Sequence, residues 1–103
     1  MDYTKKILYQ SNYWYNDGLK KAQVRDMTGA IISLRQSLQY NRENIAARNL
    51  LGLVYYGIGE VAEALVEWII SKNLKPRDNI ADYYIKNVQA SANELETINQ
   101  AVK

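Results

Sequence analysis

Residues 45–78 read IAARNLLGLVYYGIGEVAEALVEWIISKNLKPRD. Arg48, Leu51, Gly52 and Tyr55 fall at helical steps, as do Ala64 and Trp68 after them, and Pro76 closes the stretch. Apolar residues that recur every three or four positions lie on one face of a helix. Gly57 and Gly59 bracket Ile58 and predict a tight turn between two such helices. Pro76 cannot continue a helix and also restricts Lys75, so the second helix ends there. Small residues at Gly52 and Ala64 let the paired backbones approach, and Tyr55 and Trp68 fill the space around the contact. The stretch is a helix-turn-helix hairpin.

A shift of 34 residues lays 11–44 over 45–78. Gly18 then meets Gly52, Leu19 meets Leu53, Ala30 meets Ala64 and Ser37 meets Ser71. Val24 on Ile58, Asp26 on Glu60, Met27 on Val61, Ile31 on Leu65 and Leu34 on Trp68 are conservative matches. Asn44 falls on Asp78, and both residue types are good N-caps. Five helices are expected, at about 3–22, 26–41, 45–57, 60–73 and 79–102, in one domain spanning 1–103. The first carries a stripe of Ile7, Trp14, Gly18 and Ala22; the last follows Ile80, Tyr84, Val88, Leu95, Ile98 and Val102. No run alternates as a strand does.

The hairpin pattern resembles the tetratricopeptide repeat, whose 34-residue unit carries a large residue, Leu-Gly, Tyr, Ala, an aromatic and Pro at these offsets. The second repeat (45–78) matches throughout except at Arg48, where a large apolar residue is commoner. The first (11–44) keeps Trp14, Gly18 and Ala30 but has Asp17 for Leu, Lys21 for Tyr and Arg42 for Pro. The resemblance implies an all-α solenoid of two repeats with residues 79–103 as a capping helix. That segment has Lys86 where the pattern wants Gly and Ile98 where it wants Ala. The alternative is that it opens a further repeat of a longer protein, since it stops in helical phase.

For function, the resemblance implies a non-catalytic scaffold or adaptor that holds a protein or peptide segment along its concave face. Carried over position by position, that groove would be lined by Asn12, Tyr15, Leu19, Ala46, Asn49, Leu53, Tyr56, Tyr83 and Asn87. Asn amides pair with an extended backbone, and Tyr rings give contact area at low entropic cost. The opposing expectation is that the Tyr rings flank the core and the Asn side chains are solvated. The positions where one subfamily grips a C-terminal carboxylate hold Tyr15, Leu19 and Leu50, so that clamp is missing.

Composition narrows the field from the other side. The 103 residues hold no Cys and no His, which leaves no thiol nucleophile, disulfide, zinc site or imidazole base. No Gly-rich loop is followed by Lys-Ser/Thr. Glu60 with Glu63, or Glu94 with Glu96, belong to solvated faces, and Glu63 and Glu67 share a polar face. Neither an enzyme nor a metal or organic cofactor is indicated. Thirteen basic residues against 11 acidic give +2, with Lys20, Lys21 and Arg25 as a solvated helix end, so nucleic acid is not an expected partner. Nothing approaches the roughly 20 apolar residues of a membrane span, and a cytoplasmic location is expected. Nine Tyr beside two Trp and no Phe favour half-wet contact faces. Two further readings stay open: a self-assembly module forming homo-oligomers, and weak RNA binding through helical repeats, to which the modest positive charge gives little support; Tyr13-Trp14-Tyr15 could stack bases, but Trp14 stands at a repeat core position and is expected to be buried.

Overall fold

The computed structural model describes residues 2–102, including all side chains in that range except those of 95, 98 and 102. Those three positions of the last apolar stripe, together with Met1 and Lys103, lie outside the described features. Five helices form: α1 Tyr3–Gln23, α2 Met27–Tyr40, α3 Ile45–Gly57, α4 Val61–Leu74 and α5 Ala81–Val102. The fold is all-α, with no strand among the described residues.

Local chemistry sets most of the boundaries. Asp26 and Asn44 accept from the N–H groups of Gly29 (3.0 Å) and Ala47 (3.1 Å), capping α2 and α3. Both hairpin turns close the same way. Asp26 N–H reaches back to Lys21 O (2.8 Å), and Glu60 N–H reaches Tyr55 O (2.9 Å). The residue before each of these donors sits in the left-handed region, Arg25 at φ 67° and Gly59 at φ 85°. This is the Schellman arrangement, for which Gly is the easy occupant. Of the two glycines expected to make the second turn, Gly59 alone is left-handed; Gly57 ends α3 and a Cβ there would meet nothing.

One expected cap is misplaced by a residue. Asp78 does not cap α5. It takes φ 53°, and the carboxamide of Asn79 accepts from Ala81 N–H at 3.0 Å instead. The α4–α5 connection is longer than the α2–α3 connection, and α5 accordingly starts late.

Consecutive helices joined by short turns pack in antiparallel pairs: α1 on α2, α2 on α3, α3 on α4, α4 on α5, with α1 also touching α3. The glycines mark the closest approaches. A Cβ on Gly18 would lie 2.7 Å from Leu34 Cγ, and one on Gly52 would lie 2.2 Å from Trp68 Nε1. Ala30, Leu34, Ala47, Leu51 and Val54 form one buried cluster; Ala64, Trp68, Ala81 and Ile85 form another. Tyr55 packs against both. The first half of α5 thus packs on Trp68 through Ala81, Tyr84 and Ile85. From Gln89 onward every described side chain is exposed.

Trp14 departs from expectation. It is half-buried, edge-on to exposed Tyr13 (5.3 Å, 90°), and joins neither cluster. The cause is enclosure: α1 meets α2 and α3, whereas α3 is flanked by α1, α2 and α4. The matching position on α3 is Arg48, only 8% exposed.

Candidate protein-binding groove

Two buried polar junctions hold the helix pairs in register. At the first, Ser11 Oγ donates to Ser37 O (2.9 Å), Ser37 Oγ donates to Ser11 O (2.7 Å), and Asn44 Nδ2 donates to Ser11 Oγ (2.9 Å). Every strong donor here has an acceptor, which is what makes burial of the two serines tolerable. At the second, Asn79 Nδ2 donates to Ser71 Oγ (2.9 Å), Ser71 O (3.1 Å) and Lys75 O (3.1 Å). Its Oδ1 accepts from Asn49 Nδ2 at 2.9 Å as well as from Ala81 N–H. Those bonds determine which end of the Asn79 amide carries oxygen, and hence that of Asn49 as well.

Above the second junction lies a cleft of about 600 Å³. Tyr15 of α1 forms one wall; Ile45, Ala46, Asn49, Leu50 and Leu53 of α3 form the floor; Lys75, Asp78, Asn79 and Ile80 close the far side. Of the residues expected in a groove, Tyr15, Ala46, Asn49 and Leu53 line this cleft. The others lie elsewhere. Asn12 is exposed and accepts weakly from Asn44 Nδ2 (3.5 Å); Leu19 is half-buried further along α1. Tyr56 lies against Trp68 (ring centroids 6.0 Å apart), Tyr83 against Tyr84 (6.1 Å), and both stay largely exposed, as does Asn87.

Asn49 does not present its amide as expected. It is 9% exposed, its nitrogen is committed to Asn79, and its Oδ1 is buried without a donor. Its direct role is to tie α3 to the start of α5. The residues that sequence reasoning missed are Ile45, Leu50, Lys75, Asp78, Asn79 and Ile80. Four of these belong to the α4–α5 connection, where the fixed shift of 34 residues slips by one.

Lys75 and Asp78 bring charge to the far side of the groove, and the ion pairs lie around it. Arg48 Nη1 pairs with Glu67 Oε2 at 2.8 Å, and its Nε donates to Arg42 O at 3.0 Å. Glu67 therefore faces α3 and does not share a solvated face with Glu63. Lys72 and Lys86 (2.8 Å) both pair with Asp82, clamping α4 to α5. The Lys72 ammonium, then that of Lys86, holds the Asp82 carboxyl below its ordinary 3.8. On α1, Asp17 is lowered by hydrogen bonds from Lys21 and then Ser33, and Lys21 is raised by Asp17. Among the described residues no helix is long and apolar enough to cross a membrane, and no cluster of three acidic side chains could hold a metal ion.

Comparison with protein-family models and with curated protein sequences finds no match for the chain.

Proposed function

We propose that the chain is a tetratricopeptide-like helical-repeat module, cytoplasmic and non-catalytic, that binds an extended protein or peptide segment in the cleft between α1, α3 and the start of α5. The observation that carries this reading is the lining of the cleft. Ile45, Leu50 and Leu53 offer an aliphatic floor, Tyr15 an aromatic wall, Ile80 an aliphatic far side, and Lys75 and Asp78 polar rims. Concave, mostly apolar sites with a few polar groups at the edge are where ligands are held. The polar junction beneath adds support, because Asn49 and Asn79 hold the cleft's two sides in a preformed geometry that need not be ordered on binding. The 34-residue recurrence of Gly18 against Leu34 and of Gly52 against Trp68 supports the repeat reading of the scaffold.

Selection from a displayed random-peptide library tests the proposal, run in parallel on the parent, a Leu53→Glu variant and a Tyr15→Ala variant. Peptides with an aliphatic anchor should be enriched on the parent and lost on Leu53→Glu, with Tyr15→Ala intermediate. The same peptides recovered from all three, or none from the parent, would overturn it.

A further inference from the structure

The cleft between α1, α3 and the start of α5 holds one buried polar atom that nothing answers. Asn49 lines the floor and is 9% exposed; its Nδ2 is held by Asn79 Oδ1 at 2.9 Å, and its Oδ1 is buried without a donor. Asn44 and Asn79, the other amides of the two junctions, use both ends. A carbonyl oxygen buried in this way carries a desolvation cost that a hydrogen bond would remove. The bond to Asn79 fixes the amide, so Oδ1 does not turn to water without giving up its neighbour's partner.

Asn79 also ties this amide to the segment that bears the cleft's charges. Its Nδ2 donates to Lys75 O at 3.1 Å, and Asp78 precedes it in the chain. Lys75 and Asp78 both line the far side, and among the described residues neither has an ion-pair partner, not even the other. Two acceptors, Asn49 Oδ1 and the Asp78 carboxylate, and one ammonium are therefore left over around an aliphatic floor. A basic side chain complements the acceptors, because it gathers several donors in one charged group and its methylene stem lies well on apolar surface. A carboxylate complements Lys75.

We infer that the segment held in this cleft carries two charges beside its aliphatic anchor: a basic residue that donates to Asn49 Oδ1 and faces Asp78, and an acidic residue that faces Lys75. This rests on the cleft reading above and adds which segments the cleft selects. Leu53 stands one turn on from Asn49 and, as helical side chains do, leans back toward it. At 38% exposure it has room to turn aside and admit the donor. The contributions are unequal. A charged donor to an oxygen that water does not reach is worth about tenfold or more in affinity. Lys75 and Asp78 are exposed, and each pairing there is worth about two- to fivefold.

A displayed library with one fixed leucine and randomised neighbours, selected on the parent, is the test. Peptides that fail to bind Leu53→Glu are kept; they should share a Lys or Arg and an Asp or Glu at fixed offsets from the leucine. Replacing the basic residue with norleucine, which keeps the stem and drops the charge, should weaken binding to the parent about tenfold or more by calorimetric titration. On Asn49→Leu the same replacement should cost no more than about fivefold, and on Asn49→Leu with Asp78→Asn nothing. Asp78→Asn alone, on an exposed connection, should reduce the norleucine penalty about two- to fivefold, and Lys75→Gln should remove the preference for the acidic residue. Asn49→Leu should keep its melting temperature within a few degrees, since Asn79 Oδ1 still accepts from Ala81 N–H and the unanswered oxygen is gone. A consensus without a basic residue, or a norleucine penalty unchanged by Asn49→Leu and Asp78→Asn, would overturn the inference and leave the cleft reading standing. No peptide bound by the parent, or none lost on Leu53→Glu, would overturn both.

Discussion

Replacing Trp68 with Ala removes the residue on which the second half of the molecule is built. Trp68 is 1% exposed. Its indole fills the space that Gly52 leaves open, donates from Nε1 to Asn49 O at 3.2 Å, and lies 5.1 Å from the Tyr84 ring on α5. Truncating a buried Trp costs about 3–5 kcal/mol through lost transfer energy and the residual cavity. Loss of the indole hydrogen bond adds about 1 kcal/mol. The whole domain holds about 5–15 kcal/mol, so the variant should be close to unfolding. At about 4–8 °C per kcal/mol for a domain of this size, the midpoint should fall by roughly 15–50 °C. Urea titration followed by circular dichroism at 222 nm measures the free-energy loss, and a thermal melt at the same wavelength the fall in midpoint, with Leu34→Ala as the comparison at the matching position. A drop below about 1 kcal/mol with an unchanged denaturant slope would show that Trp68 is not the keystone described.

Three other perturbations probe different parts. Arg25→Gly should stabilise the chain by a few tenths to about 1 kcal/mol, because Arg25 is held at φ 67° where its partner position has Gly; thermal melts would reveal it, and a destabilised variant would refute strain at this turn. Arg48→Leu should cost about 2–4 kcal/mol by stranding Glu67, whereas Arg48→Leu with Glu67→Leu should recover most of it; equal losses in single and double variants would argue against the pair. Asp82 is depressed in the folded state, so its contribution to stability is present above about pH 4 and disappears as pH falls through the lowered value. Asp82→Asn should therefore flatten the acid limb of melting temperature against pH, leaving the share from Asp17; superimposable profiles would exclude the Asp82 clamp as its source.

The helical hairpins were legible because their determinants are local. Gly52 and Trp68, like Gly18 and Leu34, are 16 residues apart and need only one turn to meet. The groove was legible only in part. Tyr15, Ala46 and Leu53 are positions that the tetratricopeptide resemblance implied, but the far wall comes from the α4–α5 connection, where nothing periodic marks the displacement of the cap from Asp78 to Asn79. Buried Ser11 was also invisible, because a serine on an apolar face reads as a break in the stripe until Ser37 and Asn44 converge on it. The first turn was expected between the helices at 3–22 and 26–41, but its left-handed backbone was not, because Arg25 stands where the second turn has Gly59.

The offset at Asn79 separates two kinds of length. Ala47 and Ala81, then Leu51 and Ile85, keep a strict interval of 34 through the buried clusters, although the cap has moved by one residue and α5 begins late. Spacing between core residues is thus rigid, while the connection absorbs differences in chain length. An insertion within a helix would rotate everything after it by about 100°. Drift in length is tolerated only between helices, and there it reshapes the rim of the cleft, so the segment freest to vary is the one that decides what the cleft will accept.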